Sequence, residues 1–359
     1  MQRWSRWGVV VCVLAVLVAV PPAISRLPVS DPKVAVATLL DRVRASELVA
    51  YSGYAETLGT FALPSTRGLS DLTSLFGGHT RLRVWRRTVT DWRVDSLSPV
   101  GEQGIYRDGS GIWLWDFAAN RAVRTTQPAV RLPAAPDLLP AELGRRLLSE
   151  AHPAELQRLP ARTIAGRTAE GVRLRPAERN ATIDRVDVWV DPRTGLSMRV
   201  EVWGKAAPQP AVQASFLDLH VGRPAARLTR FAAPVGAQLS TEDPRDVSRL
   251  AEEFGFTDLP ARLAGLPLRH DAPGLGSYGR GPTFLTAVPL SRRGRFRLLD
   301  RIQAAPGAHV DPADGSSSLA AGPLSLLVAA VAGESWLFTG TVTVVTLQRA
   351  AAQLNAART

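Results

Sequence analysis

The stretch Val186 to Trp203, VDVWVDPRTGLSMRVEVW, constrains the fold more than any other part of the chain. Val186, Val188 and Val190 alternate with Asp187, Trp189 and Asp191, and after Pro192 and Gly195 the alternation returns in Leu196, Met198, Val200 and Val202. Successive side chains of a strand point to opposite faces, so these residues read as a half-buried hairpin with one apolar face. An antiparallel sheet with such a face must cover it with helices, a second sheet or a ligand, and the choice among these decides what the protein can do.

The N-terminus narrows the compartment. Arg3 and Arg6 precede an uninterrupted apolar run from Gly8 to Val20 that ends at Pro21 and Pro22, the pattern of an export signal. The run is shorter than the roughly 20 residues of a spanning helix, which favours a cleaved signal peptide. Only Ala23-Ile24-Ser25 stands where a cleavage site would be, so a signal anchor over residues 8–24 stays open. Either reading places the bulk of the chain outside the cytoplasm, secreted or held at the cytoplasmic membrane. Cys12, the only cysteine, lies inside the apolar run, which excludes a disulfide within the folded part. The net charge of +11 is carried almost wholly by arginine, since Lys33 and Lys205 are the only lysines. A basic chain in this compartment meets anionic membrane surfaces and envelope polymers, and nucleic acid is not an expected partner.

The 359 residues suffice for about two domains. Asp31-Pro32 reads as a helix start, with Val36, Leu39, Leu40 and Val43 as its apolar stripe up to about Val49. Tyr51-Ser52-Gly53-Tyr54 breaks the helix; a first strand is expected to follow it to Leu63, then a short helix near Ser70 to Phe76. Leu82 and Val84, Trp92 and Val94, and Ile112 and Leu114 mark three more alternating strands. Leu139, Leu143 and Leu147 mark a short amphipathic helix able to lie across the sheet. A strand pair is expected from about Ala161 to Arg175, followed by the opening hairpin, with Phe216 to Leu219 as the last edge of the sheet. Residues 232–246, with Pro234, Gly236 and Pro244, read as a linker dividing a unit over 31–231 from a smaller one over 247–359. In the smaller unit a helix is expected near Val247 to Phe254, strands near Thr283 to Pro289, at Leu324 to Val331 and from Trp336 to Val345, and a closing helix from Thr346 to Ala357.

Catalytic arrangements are not evident. The sequence holds no G-x-S-x-G elbow, no G-x-x-x-x-G-K phosphate loop and no H-E-x-x-H, and its five histidines have no metal-ligand spacing. A protein that is not an enzyme, with no cofactor and no metal, is the expectation.

The tripeptide Tyr51-Ser52-Gly53, the arginine-rich strand Arg81 to Arg87, the aromatic strand Ile112 to Asp116 after a DG turn, and the run Val188 to Leu196 together resemble the LolA/LolB family. With a second unit after the linker, the chain is more closely similar to MucB/RseB-type envelope proteins, in a version common among high-GC Gram-positive bacteria. The resemblance covers about residues 33 to 231; over the C-terminal unit it rests on Gly279-Arg280-Gly281, Gly322-Pro323 and Trp336 to Thr343. It implies an α+β fold, a strongly curved antiparallel sheet or incomplete barrel capped by helices, followed by a smaller α+β C-terminal domain. It further implies an apolar cavity under the helices, which in LolA-like members holds lipoprotein acyl chains. In RseB-like members the implied partner is a membrane anti-sigma factor, bound and then released on an envelope stress signal, which controls an envelope-stress sigma factor.

Residues expected to line such a cavity are Leu82, Val84, Trp92, Val94, Ile112, Leu114, Val188, Val190, Met198 and Val200, with Leu139, Leu143 and Leu147 as the lid. Each is equally well read as plain core. Arg81, Arg83, Arg86 and Arg87, with Arg93, form a band suited to an anionic head group, and Arg292, Arg293, Arg295 and Arg297 a second one; the competing reading is solvated strand faces. The preferred function is binding of a lipid or lipoprotein acyl chain, and the alternative is regulation through an anti-sigma factor.

Overall fold

The computed structural model describes residues 34–60, 77–98, 101–126, 133–242, 259–269 and 276–358. The apolar N-terminal run, the helices expected near Ser70 to Phe76 and Val247 to Phe254, and the helix start at Asp31-Pro32 lie outside these residues. Helix α1 (Val36–Ala45) begins after Ala35 and buries Leu39, Leu40 and Val43, and a 3-10 turn over Ser46–Leu48 follows it.

Twelve strands then form one sheet: β1 (Tyr51–Gly59), β2 (His79–Arg86), β3 (Trp92–Ser98), β4 (Gly101–Asp108), β5 (Gly111–Asp116), β6 (Arg121–Thr125), β7 (Leu156–Ile164), β8 (Arg167–Leu174), β9 (Ile183–Val190), β10 (Ser197–Gly204), β11 (Val212–Val221) and β12 (Gln238–Thr241). Their order is β12-β6-β5-β4-β3-β2-β1-β11-β10-β9-β8-β7, antiparallel except for β12 on β6. The sheet is strongly curved and not closed.

Two placements differ from the sequence reading. Phe216 to Leu219 is not an edge: β11 sits between β1 and β10, pairing Tyr51 with Val221 and Val202 with Val212. The stretch expected as a linker contains β12, whose backbone extends the far edge of the sheet. Before reaching that edge the chain crosses the sheet's outer face, where Phe231 stacks on Trp113 at 4.7 Å.

The hairpin β9–β10 explains where α1 sits. Asp191 accepts hydrogen bonds from the backbone amides of Arg193 (2.8 Å) and Thr194 (3.2 Å), which closes the turn. Gly195 has φ +76°, and any Cβ there would collide with the Arg42 carbonyl of α1. The Arg42 guanidinium donates to the Pro192 carbonyl from the same side. Helix α2 (Pro140–Leu148) packs on β10 through Gly144, where a Cβ would strike Ser197. Its buried stripe is therefore Ala141, Gly144 and Leu148, while Leu143 and Leu147 lie half-buried beside it.

A ribbon of β13 (Arg262–Leu263) and β14 (Leu266–Pro267) leads to a second antiparallel sheet: β15 (Gly276–Arg280), β16 (Thr283–Leu290), β17 (His309–Val310), β18 (Ser317–Ala321), β19 (Leu324–Val331) and β20 (Glu334–Gly340), ordered β15-β16-β20-β19-β18-β17. Helix α3 (Arg292–Gln303) covers one face through Leu298 and Ile302, and α4 (Val344–Ala356) the other through Leu347, Ala350 and Leu354. The second sheet meets the first through backbone hydrogen bonds between Thr182 and Thr341 and between Thr343 and Asn180. Arg280 adds a fork onto Glu155 (2.7 and 2.8 Å), reinforced by Glu178 at 3.3 Å.

Candidate functional site

Cross-strand partners share a face, which places the candidate residues relative to one another. Val84 pairs with Val94, Val94 with Ile105 and Ile105 with Leu114; Arg86 pairs with Trp92, Trp92 with Arg107 and Arg107 with Ile112. Across the other half, Val200 pairs with Val188, and Val188 with Val172. Leu82, Val84, Val94 and Met198 share a core cluster with Leu138 and Leu139, while Val188, Val190 and Val200 share one with α1 and α2. All ten expected cavity residues thus lie on the side of the sheet that faces the helices.

They do not enclose one space. Val188, Val190 and Val200 are fully buried against Leu39, Leu40, Val43 and Leu148. Space remains further along, where a cleft of about 220 Å³ opens between β2–β4, the 3-10 turn after α1 and the start of α2. Val84, Trp92 and Val94 line it from the sheet, and Leu139 from the lid. Beyond it the face is less covered: Ile112 is half-buried and Leu114 is 41% exposed.

The polar side of the cleft is a chain of ions. Arg86 donates to Glu142 (2.6 Å) and to the Glu47 carbonyl (2.9 Å); Glu142 also accepts from Arg145 (2.5 Å), and Arg145 lies 3.6 Å from Glu47. This network ties α2 to β2 and to the turn after α1. The Tyr51 ring packs edge-on to Phe216 at 5.8 Å, and its hydroxyl, in a residue only 1% exposed, has no hydrogen-bond partner among the described residues. Burial, with Glu142 adding to it, raises the Tyr51 pKa well above the ordinary phenol value, so the group stays a neutral donor. Arg107 also lines the cleft and forms no ion pair among the described residues.

Of the four arginines expected at an anionic head group, only Arg86 reaches this place. Arg81 and Arg83 stand exposed on the opposite face of β2 from Leu82 and Val84. Arg87 is held in the β2–β3 turn by Asp91 at 2.6 Å. Arg93, on the outer face, packs over Trp85 and Tyr106 and pairs with Asp95 at 2.6 Å. Sequence reasoning missed Tyr51, Arg107, Glu142 and Arg145. Arg107 was legible in principle, since it alternates in phase with Ile105; Glu142 and Arg145 reach the cleft only because α2 lies across β10.

No protein-family model and no curated sequence matches the chain. Among solved structures, MucB in complex with MucA(peri) superposes over 88% of this chain and 96% of its own, with a TM-score of 0.50 at 16% identity. The Pseudomonas aeruginosa MucA/MucB complex gives 0.49 at 16% identity, over 87% and 95% of the two chains. A LolA superfamily protein from Nitrosomonas europaea gives 0.25 at 13% identity, over 55% of this chain and 98% of that one. At this identity the likeness is one of architecture. The chain has the fold of MucB, a large curved open antiparallel sheet with few helices joined to a smaller sheet unit.

Proposed function

We propose that the protein is a non-enzymatic extracytoplasmic binding protein that takes a lipid or lipoprotein acyl chain between its curved sheet and α2. The observation that carries this reading is the cleft, with an apolar floor of Val84, Trp92 and Val94 and, at its polar side, an arginine and a buried hydroxyl that have no partner among the described residues. Arg107 supplies a cation for an anionic head group, and Tyr51 a neutral hydrogen-bond donor. At about 220 Å³ the cleft is smaller than the roughly 300–1,000 Å³ of sites that bury a whole drug-sized ligand. It accommodates the first part of a chain, whose remainder would run over Ile112 and Leu114. Burial of methylenes at about 0.8 kcal/mol each makes a long chain a strong ligand without polar chemistry. On this reading residues 31–231 are the binding unit, residues 247–359 a C-terminal unit and residues 8–24 the export signal or anchor.

A second reading is favoured by the solved structure with the same fold, which holds MucB together with MucA. There the chain would be a regulator that clasps a membrane anti-sigma factor, with a lipid acting as the switch.

Native mass spectrometry with lipid extraction, on protein purified from a bacterial envelope in mild buffer, tests the first reading. A phospholipid or acylated peptide at near one per chain, lost in Arg107→Glu, supports it. A clean apo protein that also fails to take up added phospholipid overturns it, and cross-linking in the envelope then tests the second.

A further inference from the structure

Helix α3 carries a surface that the cleft does not account for. Its sequence, RRGRFRLLDRIQ, begins after Ser291, whose hydroxyl accepts from the Gly294 amide at 3.2 Å. Leu298 and Ile302, one turn apart, are buried against Leu319, Leu326 and Val328 of the second sheet. This stripe satisfies the packing needs of the helix. The other side presents Arg292, Arg293, Arg297 and Arg301, with Asp300 among them, all exposed, around a phenylalanine, Phe296, that is 70% exposed; Arg295, also exposed, stands in the first turn in line with the buried stripe.

Many arginines elsewhere in the molecule are paired with carboxylates, although among the described residues some, such as Arg81, Arg83 and Arg107, are not. Arg86, Arg93, Arg167, Arg173, Arg199 and Arg280 each lie within 3 Å of a carboxylate oxygen. None of the five on α3 forms an ion pair among the described residues, and neither does Asp300, the one carboxylate of the helix. The first turn contains no acidic residue, so Arg292, Arg293 and Arg295 add their charge to the positive end of the helix dipole. No carboxylate among the described residues pairs with this charge. Arg293, Phe296 and Arg297 are spaced to lie side by side on the helix surface, an aromatic ring flanked by two cations.

We propose that α3 docks the C-terminal unit onto the surface of an anionic bilayer. The arginines would meet lipid phosphates while Phe296 enters the boundary between head groups and acyl chains, the arrangement of an interfacial helix that lies in the membrane plane. A cationic surface for nucleic acid or an acidic protein would not need an exposed phenylalanine at its centre. The basic and apolar N-terminus, Arg3 to Val20, independently directs the chain to a membrane. The inference does not depend on what occupies the cleft.

The test uses the full chain with Cys12→Ser and Phe296→Cys, labelled at the single thiol with an environment-sensitive fluorophore. Mixed with vesicles of phosphatidylglycerol and phosphatidylcholine, the label is expected to brighten and shift to the blue, and to do so far less with phosphatidylcholine alone. Adding Arg293→Gln and Arg297→Gln is expected to shift the label's response on anionic vesicles toward water, the equilibrium that it reads falling by about fivefold per arginine at low salt, with an unchanged circular dichroism spectrum. Because the N-terminal run can hold the chain on either vesicle, the label reads α3 alone. A label that stays in water on anionic vesicles, or responds equally to both compositions, overturns the proposal.

Discussion

The two halves of the helix-facing side of the large sheet are made of the same kind of residue and end in opposite states. Over β8–β11, Val172, Val186, Val188, Val190 and Val200 are fully buried under α1 and α2. Over β2–β6, Val84 and Val94 are buried, but Leu114 further along the same row and Ile112 in the row beside it are not, and a cleft opens beside Val84 and Val94. Apolar residues alternate with polar ones in β2, β3 and β5 as they do in β9 and β10. An apolar face is thus necessary for a binding surface and does not identify one; what separates core from cleft is where two short helices are laid down. Both are laid on the β9–β10 side by close backbone approaches, Gly195 against α1 and Gly144 against Ser197.

The sharpest way to break this comparison is to put a charge on each half. Val188→Asp buries a carboxylate with no partner and is expected to cost about 4 kcal/mol or more, read by chemical denaturation. Leu114→Arg, on the open half, is expected to cost less than about 1 kcal/mol while weakening phospholipid uptake. Equal destabilisation by the two would mean that both halves are core.

Gly144→Ala tests the approach that fills the first half. In an exposed helix the change gains up to about 1 kcal/mol, whereas here the new methyl meets Ser197 and Val200, so a net loss of about 1–3 kcal/mol is expected in thermal or denaturant unfolding. A stabilised variant would show that α2 is free to lift.

The filled half also carries the second sheet, and acid should loosen that contact first. The hydrogen bonds from Arg280 hold the carboxyl of Glu155 at about 2, below its ordinary 4.5. A carboxylate depressed in the folded state contributes stability that is complete above its unfolded value and drains away as the pH falls. The contact between the two sheets should therefore weaken from about pH 4.5 toward pH 2, seen as a rising radius of gyration in small-angle scattering. Glu155→Gln should show the loosened state at neutral pH, while the cleft half keeps its near-ultraviolet circular dichroism. The smallest effect expected is that of Arg81→Gln, within about 0.5 kcal/mol and without change in lipid uptake, because Arg81 stands on the face away from the cleft.

Much of the architecture was legible. The β9–β10 hairpin, the buried strand β19 and the closing helix α4 declare themselves through unbroken apolar periodicity. Strands β4 and β6 were missed because GEQGIYRD and RAVRT have too few apolar residues to show a period; they are strands because their neighbours offer backbone partners. Helix α3 escaped for a related reason, since arginine fills its exposed side and Gly294 interrupts it. Among the site residues, the apolar set was found as a face, whereas Tyr51, Glu142 and Arg145 were not found, because each belongs to a different element and only packing brings them to one cleft.

By itself, then, the sequence determined which residues share the apolar side of the sheet, because pleating is local and turns side chains alternately up and down whatever the strand is paired with. Only the tertiary structure decided which part of that side is core and which is cleft. That outcome depends on pairings such as Tyr51 with Val221 and on the contact of Gly195 with Arg42, between residues more than a hundred positions apart, which no local period encodes.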